Sequence, residues 1–168
     1  MSFGRPAGTK DGEDVERSVL SVSRAGKSKQ EAMYMSYKDA VSHAKKNQPS
    51  EFKPETQKFA NGIYEALKHQ GLPEGVPVKF YTAVGTPLDI YHGTDALFEI
   101  AGQDITIDVT INPEKVEAKA DVVVQLAFND EGGIDYGEGG FEYVAKEIMI
   151  KLTSKLTKSV KNNKPKLH

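Results

Sequence analysis

The apolar residues of the chain follow two periodicities, one typical of helices and one typical of strands. Apolar residues spaced three and four positions apart predict three helices, over 28–47, 55–70 and 141–160. Alternating or continuous apolar residues predict four strands, over 76–84, 94–101, 104–111 and 121–128. Helices on both sides of a block of strands predict an α/β or α+β fold, with a central mixed sheet of four or five strands flanked by helices.

Polar segments flank these elements and set the limits of one predicted domain. The 168 residues of the chain fit a single domain of ordinary size. Residues 1–27 are rich in glycine, serine and charged residues and lack a sustained period, which predicts a disordered N-terminal arm. The domain is therefore expected over 28–160, followed by a basic polar tail over 161–168.

Composition excludes several classes of site and of protein. The chain has no cysteine, so thiolate metal sites, iron–sulfur clusters and thiol catalysis are excluded. It has no apolar stretch of about 18 residues and no apolar signal-peptide core, which predicts a cytoplasmic protein that does not bind membranes. A metal site would have to rely on oxygen ligands, which favours Mg²⁺ or Mn²⁺ over structural zinc.

Charge is distributed unevenly along the chain, although the net charge is only −2. Residues 84–142 carry 2 lysines against 13 carboxylates, whereas residues 143–168 carry 7 lysines against one glutamate. Clustered carboxylates are stabilised by a divalent cation or by dispersal over a solvated surface. Basic segments beside an acidic centre suit a protein that holds a nucleic acid near a metal. Basic tails that only aid solubility are the alternative.

One face of a predicted hairpin carries most of the candidate chemistry. The pair Gly102–Gln103 predicts a two-residue type II′ turn between the strands at 94–101 and 104–111. Because the side chains of paired strands share their faces, this hairpin would bring together four polar residues, namely Asp95, Glu99, Asp108 and Thr110. Carboxylates from adjacent strands are suitable ligands for Mg²⁺. The alternative is an ordinary antiparallel sheet with one solvated polar face.

The segments His92–Ile100 and Ile105–Thr110 resemble the core of the PD-(D/E)XK nuclease superfamily, which has a restriction-endonuclease-like fold. That family has an Asp on one strand, a second acid on the next strand and a Lys two positions after the second acid. Asp95 and Asp108 correspond to the two acids, whereas Thr110 stands where the family has Lys. The resemblance implies hydrolysis of phosphodiester bonds in nucleic acid, with DNA as the expected substrate and Mg²⁺ or Mn²⁺ as the cofactor.

The resemblance also implies roles for the remaining candidate residues. Asp95 and Asp108 would hold the metal, with Glu99 as an accessory ligand. Thr110 would form a hydrogen bond near the water. Lys115, with Lys119 as the alternative, would supply the positive charge that the family's Lys provides. Further basic residues are candidates for binding substrate phosphates, namely Lys119, His92, Lys151, Lys155 and Lys158. The lysines of the last helix equally fit a solvated helix face.

Two functions from different classes remain open. The first is a metal-dependent endonuclease-like protein that hydrolyses phosphodiester bonds in nucleic acid. The second is a non-catalytic nucleic-acid-binding or assembly protein that retains the nuclease-like fold but has lost the catalytic Lys. Nucleic acid, with DNA favoured, is the expected partner, and the size of the chain is compatible with a homodimer.

Overall fold

The computed structural model of the chain describes residues 19–20, 33–47, 57–112, 114, 119–131, 133–136 and 139–163. The helices with described bounds are α1 (Tyr37–Lys46), α2 (Lys58–His69), α3 (Pro87–His92) and α4 (Gly140–Asn162). The strands are β1 (Val78–Thr82), β2 (Ala96–Ile100), β3 (Gln103–Thr110), β4 (Val122–Gln125), β5 (Ala127–Phe128) and β6 (Ile134–Asp135).

Four of the strands form one sheet in the order β1-β2-β3-β4. β2 is antiparallel to both β1 and β3, whereas β3 and β4 are parallel. This arrangement confirms the predicted mixed α/β architecture, a four-stranded mixed sheet flanked by helices. β5 and β6 pair with each other in a separate two-stranded sheet, so the strand predicted over 121–128 is divided between two sheets.

The β2–β3 hairpin has a different turn from the predicted one. Ile100 pairs with Gln103, so the two-residue loop is Ala101–Gly102. Both loop residues have positive φ, 51° at Ala101 and 75° at Gly102, as a type I′ turn requires. The predicted type II′ turn was wrong, because Gly102 occupies the second loop position rather than the first. Because the loop begins one residue earlier than predicted, each β2 residue pairs with a β3 residue two positions closer to the turn than the predicted partner.

Helices cover both faces of the sheet. On one face, alternate β2 residues pack in a large core with α2 and α4, namely Ala96, Phe98 and Ile100. On the other face, Leu97 packs in a smaller core with α1 and α3. Asp108, which was predicted on this second face, is also buried. The second face is therefore not the solvated face of an ordinary half-exposed sheet.

Part of the N-terminal arm belongs to the larger core. Val19 and Leu20 are buried there, and Leu20 is fully shielded from solvent. The side-chain amide of Gln57 donates a hydrogen bond of 2.8 Å to the Leu20 carbonyl and fixes this segment against the start of α2. The predicted disorder does not hold for these two residues, and the rest of 1–27 lies outside the described residues. No described helix is both long and apolar enough to cross a membrane.

α2 and α4 approach each other closely at Gly62. A Cβ atom placed on Gly62 would lie 2.3 Å from Cε2 and 2.4 Å from Cδ2 of Phe141. The Phe141 ring is itself packed against two other rings, with centroids 4.5 Å away at Tyr136 and 6.2 Å away at Phe59. Gly62 is therefore required by the space between the helices.

Replacing Gly62 with alanine is expected to destabilise the protein, although alanine in a helix is favoured over glycine by about 1 kcal/mol. The new methyl group overlaps the Phe141 ring, and overpacking of this kind costs about 1–3 kcal/mol. Urea unfolding of the Gly62→Ala variant measures the loss. Adding Phe141→Leu should recover part of it, because that change removes the ring. A Gly62→Ala variant at least as stable as the parent would contradict the close helix contact.

Candidate functional site

Asp95 and Asp108 lie next to each other at the end of the β2–β3 hairpin that is remote from its turn. Asp95 N–H donates to the Ile107 carbonyl at 2.8 Å, and Val109 N–H donates to Asp95 Oδ2 at 2.7 Å. Since Val109 directly follows Asp108, Asp95 Oδ2 lies within about 5 Å of the Asp108 Cα. Both residues are buried, with 3% and 4% of their surface exposed. The structure therefore places these two residues next to each other across the hairpin, and we call them the carboxylate pair; their role as metal ligands stays a prediction.

Backbone contacts on both sides fix Asp95 in place. Ala83 N–H, directly after β1, donates to the Asp95 carbonyl at 2.7 Å. The Asp95 carboxylate takes the position that a strand carbonyl would have opposite Val109. Gly93, two residues earlier, ends α3 in the left-handed conformation with φ of 60°. A short acidic side chain here extends the β2–β3 ladder by one hydrogen bond, which is a structural role in addition to any chemistry.

Three residues are candidates for the role of the Lys in the nuclease superfamily that the chain resembles, and they lie in different surroundings. Thr110 ends β3, and its hydroxyl accepts a hydrogen bond of 3.1 Å from Asn112 N–H. Lys115 lies outside the described residues. Lys119 is exposed, and its stem covers Gly93, since a Cβ atom placed on Gly93 would lie 3.8 Å from Lys119 Cδ. Lys119 therefore lies close to the segment that leads into Asp95.

His92 connects the end of α3 with the start of α1. Its Nε2 donates a hydrogen bond of 2.8 Å to the Met35 carbonyl. Its ring packs edge-on to Tyr37 at 5.6 Å between centroids and tilted to Tyr34 at 6.1 Å. The predicted contact of His92 with substrate phosphate would have to coexist with this hydrogen bond, which occupies one of its two ring nitrogens.

Glu99 belongs to a second polar cluster at the opposite end of β2. It pairs across the hairpin with Asp104. Lys45 of α1 bridges the two carboxylates, with Nζ 2.5 Å from Glu99 Oε2 and 2.6 Å from Asp104 Oδ1. Glu99 lies four residues from Asp95, which is about 13 Å along a strand. The predicted convergence of Glu99 with Asp95 and Asp108 therefore does not occur, because the rise of the strand separates them.

Lys155 of α4 reaches the same end of the sheet. Its Nζ lies 2.6 Å from Asp121 Oδ2 and 2.5 Å from the Asp104 carbonyl oxygen. Asp121 also accepts hydrogen bonds from the Thr106 N–H at 3.0 Å and the Thr106 hydroxyl at 3.1 Å. Lys155 is thus engaged in an internal ion pair rather than presented in the predicted line of phosphate-binding lysines. The other members of that line also lie on α4, namely Lys151, half-buried, and Lys158, exposed.

We refer to Lys45, Glu99, Asp104, Asp121 and Lys155 as the lysine–carboxylate network. Burial raises the pKa of the Asp121 carboxyl, but the hydrogen bond and charge of Lys155 and the hydrogen bonds from β3 outweigh it and hold the pKa below its ordinary value. Burial lowers the pKa of Lys45, but hydrogen bonds to Asp104 and Glu99 outweigh that effect and raise it overall. Both shifts favour the charged forms, so the network stabilises the fold as ion pairs.

The sequence analysis did not predict that Lys45 and Lys155 form ion pairs with carboxylates of the sheet. Lys45 and Glu99 are 54 residues apart, and Lys155 and Asp121 are 34 residues apart. No local spacing marks pairs at such separations. The available signal was indirect: acids on a strand face that also carries Leu97 must be partly desolvated, and partly desolvated carboxylates require a cation or several hydrogen-bond donors.

The chemistry of the carboxylate pair fits a hard divalent cation. Among the described residues, no group of three or more His, Cys, Asp or Glu side chains is arranged to hold a metal ion. Mg²⁺ is commonly bound through one or two carboxylates, while water and substrate phosphates supply its other ligands. Two adjacent aspartates therefore fit Mg²⁺ or Mn²⁺, whereas structural zinc needs four protein ligands.

The lowered pKa of Asp121 predicts a contribution to stability that is lost in acid. Its folded-state pKa lies below the ordinary value of 3.8, so the contribution is complete above that value and declines as the pH falls through the folded-state pKa. Asp121→Asn removes the charge with little change of shape and should cost about 1–3 kcal/mol at neutral pH. Urea unfolding at neutral pH and at about pH 3 should show that the difference in free energy of unfolding between the parent and the variant is smaller in acid.

Asp130→Asn provides the matched control, because Asp130 is an exposed carboxylate in the β5–β6 loop. It should change the free energy of unfolding by less than about 0.5 kcal/mol at either pH. A loss for Asp121→Asn that is equal at both pH values would contradict the ion-pair interpretation and would indicate a role of shape alone.

Comparisons with known proteins do not assign the chain to a family. No family model, curated protein or solved structure matches it. The case for a function therefore depends on the arrangement of its own residues, chiefly the carboxylate pair and the surfaces beside it.

Proposed function

We propose that this chain is a divalent-cation-dependent phosphodiesterase acting on nucleic acid, with DNA as the expected substrate. Asp95 and Asp108 would hold Mg²⁺ or Mn²⁺. The observation that carries the proposal is the 2.7 Å hydrogen bond from Val109 N–H to Asp95 Oδ2, which holds the Asp95 carboxylate beside Asp108. The restriction-endonuclease-like fold belongs to the same proposal.

The carboxylate pair suits hydrolysis of a phosphodiester. In this reaction a water oxygen forms a bond to phosphorus while the bond from phosphorus to the leaving sugar oxygen breaks, and the leaving oxygen takes up a proton. A divalent cation supplies positive charge to the phosphate and activates water. The chain's own contribution is to fix the donors: the Val109 hydrogen bond orients the Asp95 carboxylate, and burial restricts both acids.

The order of the elements supports this proposal. α2 precedes β1, β2 follows α3, and the carboxylate pair lies where β2 and β3 run side by side. The resemblance implies the same succession of a helix and three strands, with the two acids on the second and third strands. α3 is an additional short helix between the first two strands.

Lys119 is the candidate source of positive charge near the pair among the described residues. Its stem lies over Gly93, and it forms no ion pair with any residue that the structure describes. In the proposed enzyme Lys119 neutralises the reacting phosphate, and Lys115 stays a prediction for the same role. Lys158 and Lys151 on α4 stay predicted contacts for more distant phosphates, where each cation mainly affects affinity and salt dependence.

A second function is favoured by one observation about Thr110. This residue stands where the resembling family has its catalytic Lys, and its hydroxyl is used to stabilise the end of β3 through Asn112 N–H. A chain that kept the fold but lost the catalytic Lys would bind nucleic acid without cleaving it. Cleavage assays therefore separate the two proposals.

Asp108→Asn is expected to abolish cleavage, because it removes one of the two charges that hold the cation. Loss of one such electrostatic group lowers the rate by about 10²-fold or more. Labelled single-stranded, duplex and flap DNA with Mg²⁺ or Mn²⁺ provide the assay. Calorimetric titration with Mn²⁺ gives a second readout, in which Asp108→Asn should weaken binding.

The matched control is Asp130→Asn, which removes an exposed carboxylate elsewhere on the chain. Its cleavage rate should equal that of the parent, and thermal unfolding should show that the buried Asp108→Asn variant is folded. Cleavage that survives Asp108→Asn, or a parent protein that cleaves none of these substrates, would refute the enzyme and leave the binding protein.

Lys119→Met is expected to lower kcat with little change in KM, because the proposed charge acts on the reacting phosphate. The expected loss is about 10-fold to 10²-fold. Lys158→Met should instead raise KM and reduce the slope of log affinity against log salt by about one. Lys146→Met, an exposed lysine on α4 outside the predicted line, is the control. If Lys119→Met and Lys146→Met changed kcat equally, the proposed role of Lys119 in the site would be contradicted.

A further inference from the structure

Four aromatic side chains form a connected group beside the segment that leads into Asp95. Tyr34 meets Tyr91 edge-on, with ring centroids 5.4 Å apart, and lies 6.1 Å from His92. Tyr37 meets His92 edge-on at 5.6 Å. We call Tyr34, Tyr37, Tyr91 and His92 the aromatic patch.

The aromatic patch is exposed but held in position. Tyr34 has 70% and Tyr37 has 47% of its surface exposed. The hydrogen bond from His92 Nε2 to the Met35 carbonyl ties the two halves of the patch together, one from the end of α3 and one from the start of α1. Rings fixed in this way lose little entropy when a planar ligand stacks on them, which distinguishes the patch from isolated exposed apolar residues.

Two exposed lysines adjoin the aromatic patch along the chain, whereas the Tyr37 hydroxyl faces Thr106 and the carboxylates of Asp121 and Asp104. Lys38 follows Tyr37 on α1, and Lys119 covers Gly93, which follows His92. Both lysines are exposed and form no ion pair with a described residue. Stacking rings with neighbouring cations are the combination that binds single-stranded nucleic acid, since the rings take the bases and the cations take the phosphates.

We propose that the aromatic patch stacks against unpaired bases, so that the substrate of the proposed phosphodiesterase is single-stranded or contains an unpaired segment. The rings can stack only on bases that have left a duplex, because paired bases are covered by their neighbours. His92 and Asp95 are three residues apart in sequence, which places the patch and the carboxylate pair on one continuous segment. The inference rests on the proposed function for its link to cleavage, but the binding itself requires no metal.

The absence of tryptophan from the chain permits a direct test of stacking. Tyr34→Trp introduces a single tryptophan into the patch, and its fluorescence is titrated with oligothymidylate of about 20 nucleotides in EDTA. Stacking should quench the fluorescence to saturation, with an affinity about tenfold or more above that for a duplex of equal length. Tyr143→Trp, at an exposed position on α4, should show no such quenching.

Removing the ring tests its share of the affinity. Tyr34→Ala should weaken binding of the oligothymidylate about tenfold, whereas Tyr34→Phe should bind within about twofold of the parent because the ring remains. Tyr143→Ala is the matched control and should bind as the parent does. Far-ultraviolet circular dichroism should confirm that the exposed Tyr34 variants keep their fold.

Equal affinity for the oligothymidylate and the duplex, or no effect of Tyr34→Ala, would overturn the inference. It would also be overturned if the patch proved to be a protein interface, with Tyr34→Ala disrupting self-association in analytical ultracentrifugation but leaving nucleic-acid binding intact. Ring-dependent binding without cleavage of any substrate would support the patch and refute the phosphodiesterase. Cleavage of duplex DNA without ring-dependent binding would support the phosphodiesterase and refute the role of the patch.

Discussion

The two-residue turn at Ala101–Gly102 decides which polar groups of this protein meet. Because both residues have positive φ, the turn is of type I′ and fixes Ile100 opposite Gln103. Side chains repeat every two residues along a strand, so this register also sets every pair further from the turn. It places Glu99 opposite Asp104 and brings Asp95 beside Asp108. A turn one residue later would have placed Asp95 opposite Thr110 instead.

The register divides one acidic face into two environments with different consequences. Near the turn, Lys45 neutralises Glu99 and Asp104, and Lys155 neutralises Asp121, so these acids bind α1 and α4 to the sheet. Ion pairs that are only partly exposed contribute to stability when their geometry is good and further hydrogen bonds complete them. At the other end the carboxylate pair lies beside the left-handed turn at Gly93. The first environment stabilises the fold, and the second is the candidate for chemistry.

The sequence was sufficient to predict the helices and strands whose apolar residues have a clear period. It was insufficient for residues whose position depends on partners far away in the chain. Alternation predicted β2 and β3, and helical spacing predicted α2 and α4, because each buries one regular face. α3 has six residues and begins with Pro87, which is too short for a helical period to be visible. Val19 and Leu20 lie in a polar segment, so their burial depends on a groove that other elements form. The strand period predicted that Asp95 and Asp108 share a face, whereas their pairing depends on the turn geometry. The separation of Glu99 from Asp95 follows from the rise of the strand alone.

Gly93 couples the two surfaces to which we assign function. Its φ of 60° is costly for residues with a Cβ atom, and that conformation turns the chain from α3 into β2. His92 before it contacts α1, while Asp95 after it contacts β3. Three residues span at most about 10 Å between Cα atoms, so the backbone that carries His92 lies close to the backbone that carries Asp95. Where both proposals hold, one strand of nucleic acid therefore meets the aromatic patch and the carboxylate pair in succession, and the backbone at Gly93 sets the separation of the two surfaces.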